Sequence, residues 1–363
     1  MERGATTKLL SDGFELSLER ASALEDLRAD WDRLAEGAGH PFGTWEWVSI
    51  WWRHYGEGKE LFTFACRDAD RRLAAILPLY IARQRPRIAR FLGYGDQRSP
   101  LCEPADRRLA AAAMKALLGG GGDRCKLLLG EVMPGDQDWD GMLGGTLIRT
   151  DADPVIHLDG RTWEELLASK SSSFRKQARY QERRLAREHE LEFRLTEDPD
   201  QLEADMDTLI ALHDLRWGDR STGIFAGARG QMQRELAAAA LARGWLRLWI
   251  ERVDGQPAAA YYGLRYAGSE FFFQSGREPG FDRLSVGAVM LGHAVRDACE
   301  AGIGTFRFLA GDEPYKLRLA DDDYRSKTVL LGGGISGALG RVAISAVRSL
   351  PDRQRARILG RLS

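Results

Sequence analysis

The stretch "FFFQSGREPGFDRLSVGAVMLGHAV", Phe271–Val295, decides how the second half of this chain folds. Its aromatic start reads as a strand ending in Gln274-Ser275-Gly276. A polar loop with Gly280 follows, and Ser285-Val286-Gly287 opens a helix. Gly287, Leu291, Ala294, Ala298 and Ala301 recur at steps of four and three. They form one stripe of mostly small residues, which lets the helix lie close on a sheet. Arg296, Asp297 and Glu300 fall off that stripe, and Gly302 supplies a C-cap.

Upstream, "WLRLWIERV" (Trp245–Val253) alternates as a strand, and Asp254-Gly255 is a hairpin signal because both central positions of a type I′ turn need positive φ. "QPAAAYYGLRY" (Gln256–Tyr266) is the return strand. Ala267-Gly268 turns into the strand Ser269–Gly276. Downstream, "TFRFLAG" (Thr305–Gly311) follows the helix, so it should lie parallel to Ser269–Gly276. "DEPYKLRLA" reads as a short helix and "YRSKTVLL" as a closing strand. Two helices precede the meander, Ser171–Glu190 and Asp200–Trp217.

The first half repeats this order weakly. Thr44–Tyr55 is an aromatic helix whose tryptophans suit a core face. "ELFTFACRD" and "RRLAAILPLYIAR" are a strand pair. "RIARFLGY", the helix Asp106–Leu118 and the strand "CKLLLGEV" follow. The expected class is α+β with mixed sheets, in two tandem domains of which the first is degenerate. The expected divisions are 1–157, 158–331 and a basic amphipathic tail, 332–363. The tail could contact a membrane surface or simply dock on its own domain.

Composition narrows the class. At 363 residues the chain suits two domains. Its net charge of −1 gives no global field to recruit nucleic acid, so such a partner is not expected. The N-terminal stretch has no apolar signal region, and no run is long and apolar enough to span a bilayer. A cytoplasmic protein, peripheral at most to the inner face of a membrane, is the expectation. Cys66, Cys102, Cys125 and Cys299 are scattered and read as buried free thiols. The six histidines show no metal-ligand spacing, and no metal is expected.

The first N–H groups of a helix lack internal partners and carry the positive end of its dipole. A phosphate can fill that vacancy if no side chain blocks its approach. Ser285-x-Gly287 after a strand therefore suits a bound diphosphate, with Arg277 and Arg283 adding charge. The plain alternative is a serine N-cap with glycine allowing tight packing. A dinucleotide fold is excluded, because the preceding strands form an antiparallel meander and GxGxxG is missing.

The segments "SSSFRKQARYQERRL", "LHDLRW", "RVDGQPAAAYYGLRY", "FFFQSGREPGFDRLSVGAVML" and "GIGTFRFLAGDEPYKLRL" resemble the GNAT superfamily of acyl-CoA acyltransferases. More narrowly they resemble CelD-type proteins linked to cellulose and exopolysaccharide biosynthesis, related to the Fem aminoacyltransferases. "PFGTWEWVSIWWRHYG", "AAILPLYIA" and "FLGYGDQRSP" extend the likeness into the first half. The superfamily loop is Q/R-x-x-G-x-G/A. Here Asp282-Arg283-Leu284-Ser285-Val286-Gly287 puts serine where the first glycine is expected and shifts the arginine by one position. The resemblance implies acetyl-CoA or another acyl-CoA as co-substrate. It also implies pantetheine along the open edge near Gln274, Ser275 and Gly276, with the N–H groups there facing the thioester carbonyl, and Tyr315 as the acid for the departing thiolate.

Other candidates come from chemistry at hand. Asp312 and Glu313 stand past a strand end, where a base could reach substrate, and Lys316 could pair with either or touch a phosphate. His213 and Arg216 share a helix face, so His213 is a candidate base and Arg216, with Trp217, a candidate clasp for an anionic acceptor. Arg175 and Arg179 lie on a basic stripe that the resemblance puts at the mouth of the fold. The first half has no Ser-x-Gly helix start and should bind no acyl-CoA. The expected activity is acyl transfer, acetyl in the first instance, from CoA to an amine or hydroxyl of a sugar or envelope precursor. Fem-like transfer from aminoacyl-tRNA and a catalytically silent binding subunit are the alternatives.

Overall fold

The computed structural model describes residues 7–82, 87–119, 124–218 and 223–332. The expected basic tail, 333–363, lies outside the described residues. The chain forms two compact units, Met1–Asp151 with Arg325–Ser363, and Ala152–Tyr324.

The first unit opens with β1 (Thr7–Ser11), β2 (Phe14–Arg20), α1 (Arg28–Ala38) and α2 (Trp45–Tyr55). Thr44 caps α2, accepting from the Trp47 N–H, and Trp47, Val48, Ile50 and Trp51 are buried. The aromatic run is thus a core face. The strands β3 (Lys59–Leu61), β4 (Phe64–Arg67), β5 (Leu73–Leu77), β6 (Leu79–Ala82), β7 (Ile88–Phe91) and β8 (Leu101–Cys102) follow. Pro78 interrupts the return strand, lacking the N–H a ladder needs, and β5 and β6 fall into different sheets. Then come α3 (Arg107–Ala116), β9 (Leu127–Met133), α4 (Trp139–Leu143) and β10 (Thr146–Asp151). The alanines of α3 are buried against this unit's core.

The second unit begins with β11 (Pro154–His157), α5 (Trp163–Ser169), α6 (Ser172–Glu188), β12 (Leu191–Leu195), α7 (Pro199–Trp217) and α8 (Gly227–Ala242). The meander is β13 (Leu246–Val253), β14 (Gln256–Tyr266) and β15 (Ser269–Arg277), followed by α9 (Val286–Glu300), β16 (Thr305–Arg307), α10 (Pro314–Leu319) and β17 (Asp322–Asp323). Asp254 and Gly255 both have positive φ, 50° and 75°, as the turn requires. The sheet order is β12-β13-β14-β15-β16-β11-β17. β15 and β16 are parallel, as a helix crossover demands.

The closing strand departs from expectation. β18 (Ser326–Gly332) pairs with β9 and β10, inside the first unit. Next to β16 lies β11, antiparallel to it. A strand's alternation specifies a buried face but not which sheet supplies it, and the expected 158–331 division follows sequence proximity alone.

Candidate active site

The site is built where β15 and β16 part. Their parallel pairing runs from Ser269–Thr305 to Phe271–Arg307 and stops. Beyond it the chain after β16 turns away, with the Phe308 N–H donating to Pro154 O and the Gly311 N–H to Ala152 O. Leu309, at φ 59°, makes the bend. On the other strand, Tyr262 pairs with Gln274 but Gly263 with Phe272, so Phe273 is a bulge residue. Bulges bend a strand and interrupt its ladder. The edge of β15 past Phe271 is therefore unpaired with β16.

A cavity of about 430 Å³ lies beside this gap. Ser275, Gly276 and Arg277 of β15, Ser285, Val286 and Gly287 at the start of α9, Arg216 of α7 and Tyr315 of α10 all line it. So do Phe174, Gln177, Ala178, Gln181 and Glu182 of α6, which the sequence did not single out as a wall. Their spacing of three and four was the available signal. The structure thus gathers eight of the expected residues around one space.

The start of α9 is shaped for an anion. Ser285 adopts φ 61°, and its side chain makes no cap bond. The Ala288 and Val289 N–H groups donate to Ser285 O, whereas no acceptor among the described residues meets those of Val286 or Gly287. A Cβ at Gly287 would lie 3.3 Å from Arg277 Cδ, so glycine keeps that approach clear. Gln181 Nε2 donates to Ser285 Oγ at 2.9 Å, and Arg277 donates to Asp282 at 2.9 Å. A diphosphate fits the two N–H groups and would gain Arg277 on displacing Asp282. Arg283 is exposed and does not line the cavity.

Gly276, which lines the cavity, also serves packing. A Cβ there would stand 2.3 Å from the His213 N and 2.4 Å from the Leu212 C of α7. Its glycine lets α7 lie against β15. His213 is buried beside it, edge-on to Phe225 with ring centroids 5.0 Å apart. Burial lowers its pKa against the pull of Asp214, keeping the imidazole neutral, and its side chain hydrogen-bonds that of Gln274.

Arg216 is the charged centre. It donates to Ser275 Oγ and stacks on Trp217 at 4.7 Å, and its charge acts on Tyr315. Burial raises the Tyr315 pKa, and the Arg216 charge only partly opposes this. The phenol is thus protonated at neutral pH, as a proton donor must be. Asp312 is exposed. Glu313 pairs with the buried Lys316 at 2.9 Å, and Lys316 also donates to Ala310 O at 3.0 Å. This pair holds the turn into α10. Arg175 donates to the carbonyls of Ala168 and Lys170, capping α5, and Arg179 pairs with Glu164. Neither lines the cavity. Among the described residues no cluster of His, Cys, Asp or Glu suits a metal, and no helix is long and apolar enough to cross a membrane.

A meander, a bulged strand, a helix start facing a strand gap and a tyrosine beyond the parallel strand point one way. Residues 172–317 match the family model described as an acetyltransferase (GNAT) domain. This stretch of the second unit is thus similar to a GNAT domain. Among solved structures the chain is similar to FemX, with a TM-score of 0.59 at 11% identity, over 87% of this chain and 98% of that one. It is also similar to L-PGS from Bacillus licheniformis, with a TM-score of 0.54 at 13% identity, over 90% and 97%. At such identities the likeness is one of fold. No curated protein matches the sequence. The fold resembles that of FemX over most of the chain, whereas the family match covers part of the second unit alone.

Proposed function

We propose that the second unit transfers an acyl group from acyl-CoA, acetyl in the first instance, to an amine or hydroxyl of a sugar or cell-envelope precursor. The observation that carries this reading is the single cavity joining the open start of α9 to Ser275 and Tyr315. Val286 and Gly287 N–H, with Arg277, would hold the diphosphate. The open edge of β15 offers backbone groups to the carrier arm and to the carbonyl whose oxygen gains charge. The thioester supplies an activated carbonyl. Tyr315 Oη, kept protonated by its burial, delivers the proton that the leaving thiolate takes up. His213 is buried on Gln274 and Lys316 is spent on Glu313, which leaves Asp312 the most accessible of the expected bases. Envelope and exopolysaccharide acceptors rest on the CelD-type resemblance.

A second reading, transfer of an aminoacyl group from a carrier RNA, is favoured by one feature. Asp282 and Gln181 both line the cavity at the start of α9, where a diphosphate would have to displace them.

A melting scan with acetyl-CoA separates the two. At a hundred times its Kd the ligand should stabilise the fold by about 2.7 kcal/mol. Gly287→Val should abolish that shift. Tyr315→Phe should keep it while lowering kcat at least a hundredfold, measured by thiol release. A shift that survives Gly287→Val places the carrier elsewhere. No shift at any concentration favours the RNA carrier.

A further inference from the structure

The helix α6 has two functional faces. One lines the cavity and is fastened there: Glu182 accepts from both Arg296 nitrogens at 2.8 Å, and Gln177 from Arg318 at 3.0 Å. The other carries Lys176, Arg179, Arg183, Arg184 and Arg187 around Tyr180, which together line one shallow groove. Positions 176, 180, 183 and 187 follow the helical repeat, so they form a straight stripe about 16 Å long. Glu164 and Glu188 answer Arg179, Arg184 and Arg187. No ion pair among the described residues holds Lys176 or Arg183. A concentrated positive stripe thus stands on a chain of net charge −1.

Exposed apolar side chains accompany it. The second unit exposes three large ones among the described residues: Tyr180 at 62%, Leu215 at 53% and Leu317 at 48%. Tyr180 and Leu317 sit on α6 and α10, which contribute Phe174 and Tyr315 to the cavity, whereas Leu215 is on α7, which packs on the other face of the sheet from α9 and α6 and is not part of this surface. Arg318, next to Leu317, lies 5.2 Å over the Phe174 ring, so α10 abuts α6. We propose that this face docks on an anionic lipid surface. Cations meet headgroup phosphates while tyrosine and leucine enter the interface. A nucleic acid would use the cations and could stack on Tyr180, but it gives the exposed Leu317 nothing. The proposal is independent of which carrier supplies the acyl group.

Flotation of the full chain with phosphatidylglycerol-containing vesicles and with phosphatidylcholine vesicles tests it. Binding should require the anionic lipid and fall at high salt. Lys176→Gln with Arg183→Gln removes two charges outside the cavity, each worth about fivefold, and should weaken partitioning about twenty-fivefold with an unchanged melting temperature. Tyr180→Ala should weaken it at both salt concentrations. Absence of vesicle binding at low salt overturns the proposal. So does binding that ignores the double substitution, and so does capture of an RNA hairpin by the same residues without capture of vesicles.

Discussion

The two units use the same parallel pair of strands and treat the gap beyond it differently. In the first, β7 and β9 pair from Ile88–Leu127 to Arg90–Leu129 and then stop. Glu131 sits just past the last pair, almost fully buried, and takes Arg90 at 3.0 Å and Arg98 at 3.1 Å. The Arg98 N–H also donates to Val132 O at 3.1 Å. In the second unit the corresponding stretch after β16 bends away at Leu309, and Arg216, Ser275 and Tyr315 border a cavity. The helix starts diverge as well. α3 begins at Asp106, whose carboxylate is gripped by Arg72 at 2.7 and 2.8 Å. α9 begins at Ser285 beside two unmet N–H groups. The first unit fills its strand gap with ion pairs from its own chain, and its Asp106 carboxylate is spent on Arg72 without capping α3. The second leaves its strand gap as a cavity beside the start of α9.

That contrast can be broken at Glu131. Removing one partner of a buried ionic cluster leaves uncompensated charge, here two arginines. Glu131→Ala should destabilise the protein by about 3–5 kcal/mol, read from urea melts, without changing the Kd for acetyl-CoA. Altered ligand affinity would show that the filled gap contributes to the binding site.

The second unit buries two carboxylates on its strands and treats them in opposite ways. Glu270 is held by Arg265 at 2.6 and 2.9 Å and by Tyr261 at 3.0 Å. Glu251, fully buried on β13, has both oxygens without a partner among the described residues. It lies across the ladder from Phe193, which stacks on His293 at 3.9 Å. Burial pushes the Glu251 carboxyl from 4.5 up to about 9. Between those values the folded chain holds the proton and the unfolded chain does not. Stability should therefore fall as pH rises from about 5 to 9, by about 1.4 kcal/mol per unit at most. At pH 7 the loss is on the order of 3 kcal/mol. Glu251→Gln should flatten that slope in denaturant titrations across the window. An unchanged slope would mean that Glu251 finds a cation in solution.

Much of this was legible in sequence because it depends on local pattern. Asp254-Gly255 announced its turn, and the Gly287–Ala301 stripe announced the helix face on the sheet. The Ser-x-Gly start follows from local pattern and Tyr315 from the GNAT resemblance, and both line one cavity. The remainder depends on non-local pairing. Nothing in "SKTVLL" says that it returns to β9 and β10, and nothing in "FFFQSG" marks Phe273 as a bulge. The helix α8 was passed over although the Ala237–Ala240 run is a strong helix former. Arg175 and Arg179 looked like ligands for an anion because charge is visible in sequence and the carbonyls or carboxylates that occupy it are not.

The smallest effect separates two glycines that sequence reading treated alike. At Gly276 an added methyl would meet backbone atoms of α7 at 2.3 and 2.4 Å, which cannot yield without moving the helix. Gly276→Ala should cost about 1–3 kcal/mol and loosen Arg216 along with α7. At Gly287 the nearest atom is Arg277 Cδ at 3.3 Å, the stem of a flexible side chain. Alanine is also the better helix former by up to about 1 kcal/mol. Gly287→Ala should thus hold or raise the melting temperature while weakening acetyl-CoA, because the methyl stands over the unmet N–H groups. If both substitutions destabilise the fold alike and neither changes ligand affinity, the start of α9 is a packing contact of the same kind as Gly276, and the difference between the two units lies in the strand gap alone.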